Sequence, residues 1–465
     1  MQLAGKKIVV MGLGVHGGGL GVARYCAENG AHVTVTDLRS AEILKPSIAA
    51  LADLPITYVL GEHRASDFEQ CDILVQNPAV PATSPYVAMA RAAGAQIEME
   101  MTLFFRACPA PVIGVTGAKG KTTTATLTAH LIRQWEPRTV LAGNMRISAL
   151  AQLPHISADT PVVLELSSFV LEGLDAAHIS PPIAAITNIH PDHLDRYGTM
   201  AAYIAAKAAI GRHQRPTDCI VLNALDPALV ALAAEMPGLV IWSSTEALAS
   251  VTEGSVWWHD DVLYTQQQAK TLRVASGDDV RLPGLHNRAN VATAVALALR
   301  AGVPVAAIAP ALQTFTGVEH RLEHLATFGG HAFVNDTAAT MPDAAIAALC
   351  SLPQPIVWIA GGADKKLSYE QLASVAAQYA AAIVLLAGTG TPALTDALQR
   401  HGAAARIIGT YTEFEAAIRA AHAHPLTPAT IALSPGCASF GMFNNEFHRG
   451  DEFRRIVSLL QHEEA

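Results

Sequence analysis

The sequence has no apolar run long enough to span a bilayer. Its longest uninterrupted stretches, such as Ala380 to Ala387, fall far short of the roughly 18 residues a crossing helix needs, so no membrane insertion is expected. Positive charge is in deficit: 31 Lys and Arg stand against 40 Asp and Glu, a formal charge of −9. That balance argues against an extended phosphate-tracking surface for nucleic acid, and any anionic ligand must be held locally. The six cysteines, Cys26, Cys71, Cys108, Cys219, Cys350 and Cys437, include no CxxC pair, which points to reduced thiols rather than a disulfide framework or a zinc site. Lys6-Lys7 followed by Ile8 to Val10 resembles the start of a secretory leader until Gly12, Gly14 and Gly17 to Gly19 interrupt it. The cytoplasm is the expected compartment. No period of 20 to 50 residues recurs, which excludes a solenoid or propeller.

What is present is an alternation of short Val- and Ile-rich runs, each closed by a glycine turn, with Ala- and Leu-rich helical stretches. This is the pattern of parallel sheets wrapped by helices. Strands are expected at Lys7–Met11, His32–Thr36, Asp72–Gln76, Val112–Thr116, Pro161–Leu166, Ala184–Asn188, Cys219–Asn223, Ile356–Ala360, Ala382–Ala387 and Thr430–Ser434. A helix is expected over Asn290 to Ala301, and residues 254 to 282 read as antiparallel strands on the flank of the central sheet. At roughly 150 residues per domain, 465 residues make about three. The breaks fall where a helical stretch ends at Cys108-Pro109-Ala110-Pro111 and at Thr316-Gly317. The expected fold is α/β with a Rossmann-like domain over 1–102, a P-loop domain with a mainly parallel sheet over 103–317, and a second Rossmann-like domain over 318–465.

Four segments carry chemistry. Gly12, Gly14 and Gly17 follow the first strand and open a helix, with Asp37 ending the next strand; alone this suits a dinucleotide-binding oxidoreductase or another nucleotide-binding turn. More specific is Val112-Ile113-Gly114-Val115-Thr116-Gly117-Ala118-Lys119-Gly120-Lys121-Thr122-Thr123. Backbone N–H groups of such a loop cradle phosphates, Lys121 neutralises them and the Thr122 hydroxyl can ligate magnesium. Val115 stands where the full phosphate-loop pattern has its first glycine. Glu165 ends a buried strand at the edge where ligands of α/β proteins sit, so its charge requires a partner or a metal. Thr187 to Tyr197 place His190, Asp192, His193 and Asp195 beside the same edge. Lys207, alone in an Ala-rich helix, reads from its surroundings as a surface lysine.

The order TGAKGKTT, LELSSFVLE, TNIHPDHLDRYG, AAK, Leu285-His286-Asn287-Arg288-Ala289-Asn290, Glu319-His320-Arg321 and Leu433-Ser434-Pro435-Gly436-Cys437-Ala438-Ser439-Phe440 resembles the Mur ligase family over nearly the whole chain. The resemblance implies a UDP-binding domain, a central ATPase domain and a closing domain that brings the amino acid. It overturns the surface reading of Lys207. Its D-glutamate-adding branch implies ATP-dependent ligation of D-glutamate to UDP-N-acetylmuramoyl-L-alanine through an acyl phosphate in peptidoglycan synthesis. The alternative is a related ligase adding L-glutamate or another amino acid.

Carried over by position, the resemblance makes Gly117, Ala118, Lys119, Gly120, Lys121, Thr122 and Thr123 the phosphate loop, with Asn290, Arg321 and Asp336 as further ATP contacts. Two magnesium ions are implied, Thr122 and Glu165 holding one, His193 and Lys207 the other, with Lys207 as an N-carbamoyl lysine. Lys121, Glu165, His193 and Lys207 are thereby the catalytic set. Val15, His16, Asp37, Arg39 and Asn144 match contacts to the UDP substrate, so the first domain is expected to carry uridine. Thr340, Lys365, Ser439 and Phe440 match the amino-acid pocket. Two positions depart from the branch: Ala338 replaces a usual lysine, and Glu446 lies in the segment after Ser439-Phe440 where an aromatic is usual. A monomer is expected. Two other classes remain, a nicotinamide-dependent dehydrogenase and a non-enzymatic P-loop regulator, but each leaves several of these motifs without a task.

Overall fold

The computed structural model describes residues 2–14, 17–81, 83–143, 148–282 and 284–464. The chain forms two compact units, Met1–Val280 with Leu285–Phe315, and Thr316–Ala465 with Arg281–Gly284. Among the described residues no helix is long and apolar enough to cross a membrane.

The first unit holds two sheets. One consists of β1 (Lys7–Met11), β2 (His32–Asp37), β3 (Ile56–Leu60), β4 (Ile73–Gln76) and β5 (Gln96–Glu98), all parallel in the order β3-β2-β1-β4-β5. Successive side chains of a strand point to opposite faces, and here both faces are covered. Ile8 and Val10 join one buried cluster while Val9 and Met11 join another, which is why β1 is apolar throughout instead of alternating. The chain leaves β1 to one side for β2 and returns on the other for β4, creating the crevice where ligands of such sheets sit.

The second sheet contains β6 (Val112–Thr116), β7 (Val140–Gly143), β8 (Val162–Glu165), β9 (Ile183–Ile186), β10 (Cys219–Asn223), β11 (Leu239–Ser244), β12 (Val256–His259), β13 (Val262–Gln267) and β14 (Lys270–Ser276), in the order β14-β13-β12-β11-β10-β9-β6-β8-β7. It is parallel from β7 to β12 and antiparallel through β13 and β14, the flank expected for residues 254 to 282. β6 lies between β8 and β9, so its carboxyl end is a second such crevice.

The second unit has β15 (Glu323–Phe328), β16 (His331–Asn335), β17 (Ile356–Ala360), β18 (Ala380–Leu386), β19 (Ile407–Tyr411) and β20 (Ala429–Leu433), in the order β15-β16-β20-β17-β18-β19. Only the pairing of β15 with β16 is antiparallel. Ile356, Trp358 and Ala360 pack on one face and Val357 and Ile359 on the other. The α/β architecture anticipated from the sequence is thus present in all three sheets.

The expected strands coincide with observed ones to within two residues at either end. The helix expected from Asn290 begins earlier, spanning Leu285–Arg300, because its polar start His286-Asn287-Arg288 hides the helical period.

Candidate active site

β6 runs into the loop Gly117-Ala118-Lys119-Gly120, and the helix Lys121–Arg133 follows. Gly120 precedes that helix in the left-handed region, at φ +79°. Neither loop glycine has room for a side chain. A Cβ on Gly117 would lie 1.9 Å from Thr187 Oγ1, and one on Gly120 would lie 2.2 Å from Asn290 Oδ1. The loop is braced from the end of β9: the Thr187 hydroxyl donates to the Lys119 carbonyl (2.6 Å), Asn188 Nδ2 donates to the same carbonyl (3.1 Å), and Lys119 N and Ala118 N donate back to the Asn188 side-chain and main-chain oxygens (both 2.9 Å). Thr187 and Asn188 were not picked out by sequence reasoning; the usable signal was a polar Thr-Asn pair ending an apolar strand beside a glycine loop. Lys121 Nζ donates to the carbonyls of Gly117 and Ala118 at 3.0 Å, folded back over the place where phosphates would sit. Thr122 and Thr123 lie in the first turn of the helix, where unpaired N–H groups and the helix dipole favour an anion. Gly117→Ala is expected to weaken ATP binding about tenfold to a hundredfold, since displacing Thr187 or the loop costs about 1–3 kcal/mol of strain; calorimetric titration with ATP reads this directly.

A second group of residues surrounds Lys207. Tyr203 and Lys207, four residues apart on the helix Met200–Arg212, share one face, and both are almost fully buried. Lys207 Nζ donates to the Gly117 carbonyl at 2.8 Å and lies 4.7 Å from the centre of the Tyr203 ring. Burial first, then the neighbouring charge of Lys121, lowers the Lys207 pKa to about 7, against the opposing pull of Asp192 and Glu165. Lys207 is therefore a buried amine touching the phosphate loop and no surface lysine; the all-round alanine of its helix concealed this. Glu165 ends β8, registered against Val115 on β6 and Gly143 on β7, and is 2% exposed. His193 is exposed, adopts φ +52° and starts the turn Leu194–Tyr197, its ring 4.9 Å from that of Phe169. Asn290 is buried behind the loop, donating to Asn287 Oδ1 at 3.1 Å.

Among the described residues no three His, Cys, Asp or Glu side chains are gathered as a ready metal cage. Thr122, Glu165 and Lys207 offer a hydroxyl, a carboxylate and an amine at the loop and the strand before it, and His193 offers an imidazole on the turn that follows β9. An oxygen-seeking ion that retains waters and takes further ligands from substrate phosphates, as magnesium does, fits the hydroxyl and the carboxylate, whereas the Lys207 amine would join it only once converted into an oxygen donor.

At the crevice of the first sheet, Gly12 and Gly14 have φ +97° and +67°. Both Asp37 oxygens accept backbone N–H groups, from Gly14 at 3.1 Å and from Arg39 at 2.9 Å, so Asp37 fixes two loops while the Arg39 side chain is exposed. Val15, His16 and Asn144 lie outside the described residues. Sequence reasoning also passed over Glu100, a half-buried carboxylate that accepts from Ser148 Oγ (2.5 Å) and Ala149 N (3.0 Å) and whose pKa is raised by loss of solvent.

In the second unit, the remaining candidates gather at the carboxyl ends of β16, β17 and β20. Lys365 Nζ donates to Thr340 Oγ1 at 2.9 Å, and Ala363 bridges to Ala438 next to the buried Ser439; Phe440 is exposed. Partial burial lowers the Lys365 pKa against the opposing charge of Glu446. The loops are pinned by Arg449, to which sequence reasoning gave no role: it is 1% exposed and donates to Thr337 Oγ1 (2.9 Å), the Thr337 carbonyl (3.0 Å) and the Cys437 carbonyl (3.4 Å). Arg321 is exposed, whereas Asp336 is buried, accepting from Ser434 Oγ (2.6 Å) and Leu322 N (3.2 Å). Burial raises the Asp336 pKa to about 7, against its two hydrogen bonds and the charges of Arg321 and Arg449. A carboxyl raised above its unfolded value stabilises most below about pH 4, and that contribution is lost as pH rises through about 7. Asp336→Asn should therefore flatten the decline of apparent Tm between pH 5 and pH 8 in the ligand-free protein. The effect is bounded at about 4 kcal/mol by the size of the shift, and an unchanged pH slope would contradict it.

The Mur ligase middle domain model matches residues 115–298, and the model for the Mur ligase MurD-like N-terminal domain matches residues 6–98. The chain is 55% identical to a UDP-N-acetylmuramoylalanine--D-glutamate ligase of Roseiflexus sp. (strain RS-1), over 98% of this chain and 99% of that one. A protein of the same name from Treponema pallidum (strain Nichols) is 35% identical over 98% of both chains. Among solved structures, the UDP-N-acetylmuramate-alanine ligase of Thermotoga maritima aligns with a TM-score of 0.61 at 22% identity, covering 98% of this chain and 100% of that one.

Proposed function

The chain belongs to the Mur ligase family, and from that premise we propose that it joins D-glutamate to UDP-N-acetylmuramoyl-L-alanine with conversion of ATP to ADP and phosphate. The observation that carries the reading is the braced loop Gly117–Gly120 with Lys121 and the buried Lys207 meeting at the Gly117 carbonyl, in a chain 55% identical over nearly its full length to a ligase of that name.

A carboxylate is a poor electrophile. In the proposed reaction the L-alanyl carboxylate of the UDP substrate attacks the γ-phosphorus of ATP, ADP leaves, and the amine of D-glutamate then displaces phosphate from the acyl phosphate to give the amide. The protein's part is positioning and charge. The loop N–H groups and Lys121 hold the phosphates, with Asn290, Arg321 and Asp336 as further ATP contacts. Thr122 and Glu165 would hold one magnesium and His193 and Lys207 a second. Bound magnesium supplies neutralisation of the transferring phosphate. We assign Lys207 an N-carbamoyl form: its neutral amine adds to carbon dioxide, loses a proton and becomes an oxygen ligand. Residues 1–102 bind the UDP part, 103–317 the ATP, and 318–465 bring the amino acid to Thr340, Lys365, Ser439 and Phe440. The enzyme works as a cytoplasmic monomer.

Ala338 and Glu446 bear on which amino acid is used. The test is product formation, followed by mass spectrometry, with D-glutamate, L-glutamate, D-aspartate, L-lysine and meso-diaminopimelate offered separately. A product with D-glutamate alone is expected; a product with another amino acid alone would move specificity to those two positions.

A further inference from the structure

The helix Ser168–Ala176 follows directly on the strand that ends in Glu165, and Phe169 and Glu172, three residues apart, share a face. Both are engaged by the turn that carries His193. Arg196 donates through Nη2 to Glu172 Oε2 at 2.7 Å, and its guanidinium lies 4.2 Å from the centre of the Phe169 ring. The Tyr197 hydroxyl donates to the other Glu172 oxygen at 2.6 Å. The opposite end of the guanidinium, Nη1, donates to the Pro78 carbonyl at 3.2 Å, in the loop after β4 at the crevice of the first sheet. The Phe169 ring lies against both Arg196 and the His193 imidazole. His193 needs such support, because its φ of +52° is a conformation a non-glycine residue holds only when its surroundings impose it.

We propose that Arg196, held by Glu172, is a positioning residue of the ligase reaction: through the Phe169 ring it fixes the His193 imidazole at the metal site, and through the Pro78 carbonyl it ties that turn to the loop of the UDP-substrate domain. The proposal rests on the reading of His193 as a metal-site residue. Only a planar guanidinium makes all three contacts. A lysine retains the charge but cannot lie flat on a ring while its two ends reach a carboxylate and a carbonyl.

The test uses the full-length enzyme with ADP, Mn2+ as the metal probe read by electron paramagnetic resonance, and steady-state kinetics over a range of Mg2+. Arg196→Lys and Glu172→Gln are each expected to weaken Mn2+ binding about tenfold or more, the loss typical when the partner orienting a metal ligand is removed. The Mg2+ concentration at half-maximal activity should rise by the same factor. KM for the UDP substrate should rise in Arg196→Lys, while KM for ATP at saturating Mg2+ stays unchanged. A purely structural role would lower Tm without moving the metal response, and unaltered Mn2+ binding in both variants, or in whichever one folds, overturns the proposal. His193→Ala separates the two layers. If it weakens Mn2+ binding while the clamp variants do not, the clamp alone fails; if it leaves Mn2+ binding unchanged, the metal reading of His193 fails and takes the clamp with it.

Discussion

Lys121→Ala is expected to lower kcat by at least about 10²–10³-fold, the cost of removing one group aimed at developing charge in a dry site. The ammonium is held by two loop carbonyls at 3.0 Å, so the loop itself sets its position. The loop itself is braced independently by Thr187 and Asn188. The variant should therefore fold normally, with its circular dichroism and Tm close to those of the parent, while phosphate release falls to background. Near-normal turnover in Lys121→Ala would refute the assignment of the phosphate loop.

The second large effect concerns Lys207. Its Nζ lies in a buried pocket against the Gly117 carbonyl and the Tyr203 ring, where burial and the Lys121 charge disfavour the ammonium. In the proposed mechanism the neutral amine adds to carbon dioxide, and the carbamate so formed would be the kind of ligand magnesium prefers. Lys207→Ala should lose at least about 100-fold in kcat. Because the alanine leaves space beside the loop, short carboxylates such as acetate or formate should restore part of the activity in a saturable manner, read as rate against added carboxylate. Full activity without rescue would remove the carbamate from the mechanism.

How far the sequence disclosed this architecture depends on where each residue lies in a sheet. Central strands such as β1, β6 and β17 are covered on both faces and stand out as continuous apolar runs. The edge strands β3, β5, β7 and β19 are short and partly exposed and escaped notice. So did β16, whose His331 and Asn335 interrupt the run even though both are buried. The strand–glycine loop–helix turn at Gly117–Gly120 was legible because its glycines answer to steric facts, a missing Cβ opposite Thr187 and Asn290. Glu165 was legible as a charge at the end of an apolar strand. The burial of Lys207 was not legible from its own surroundings, since a helix of alanines presents no apolar stripe to say which side is buried, and only the order of motifs along the whole chain drew attention to it. The roles of Arg449 and Arg196 were hidden for a related reason: each acts through contacts with residues more than a dozen positions away, which no local pattern encodes.

The most direct test of the central claim follows oxygen. UDP-N-acetylmuramoyl-L-alanine labelled with 18O in both carboxylate oxygens is incubated with ATP, Mg2+ and D-glutamate, and the products are analysed by mass spectrometry. If the carboxylate attacks the γ-phosphorus and the amine then displaces phosphate, each phosphate released carries one 18O and the amide keeps the other. Unlabelled phosphate, or phosphate released without D-glutamate and without amide, would contradict the account.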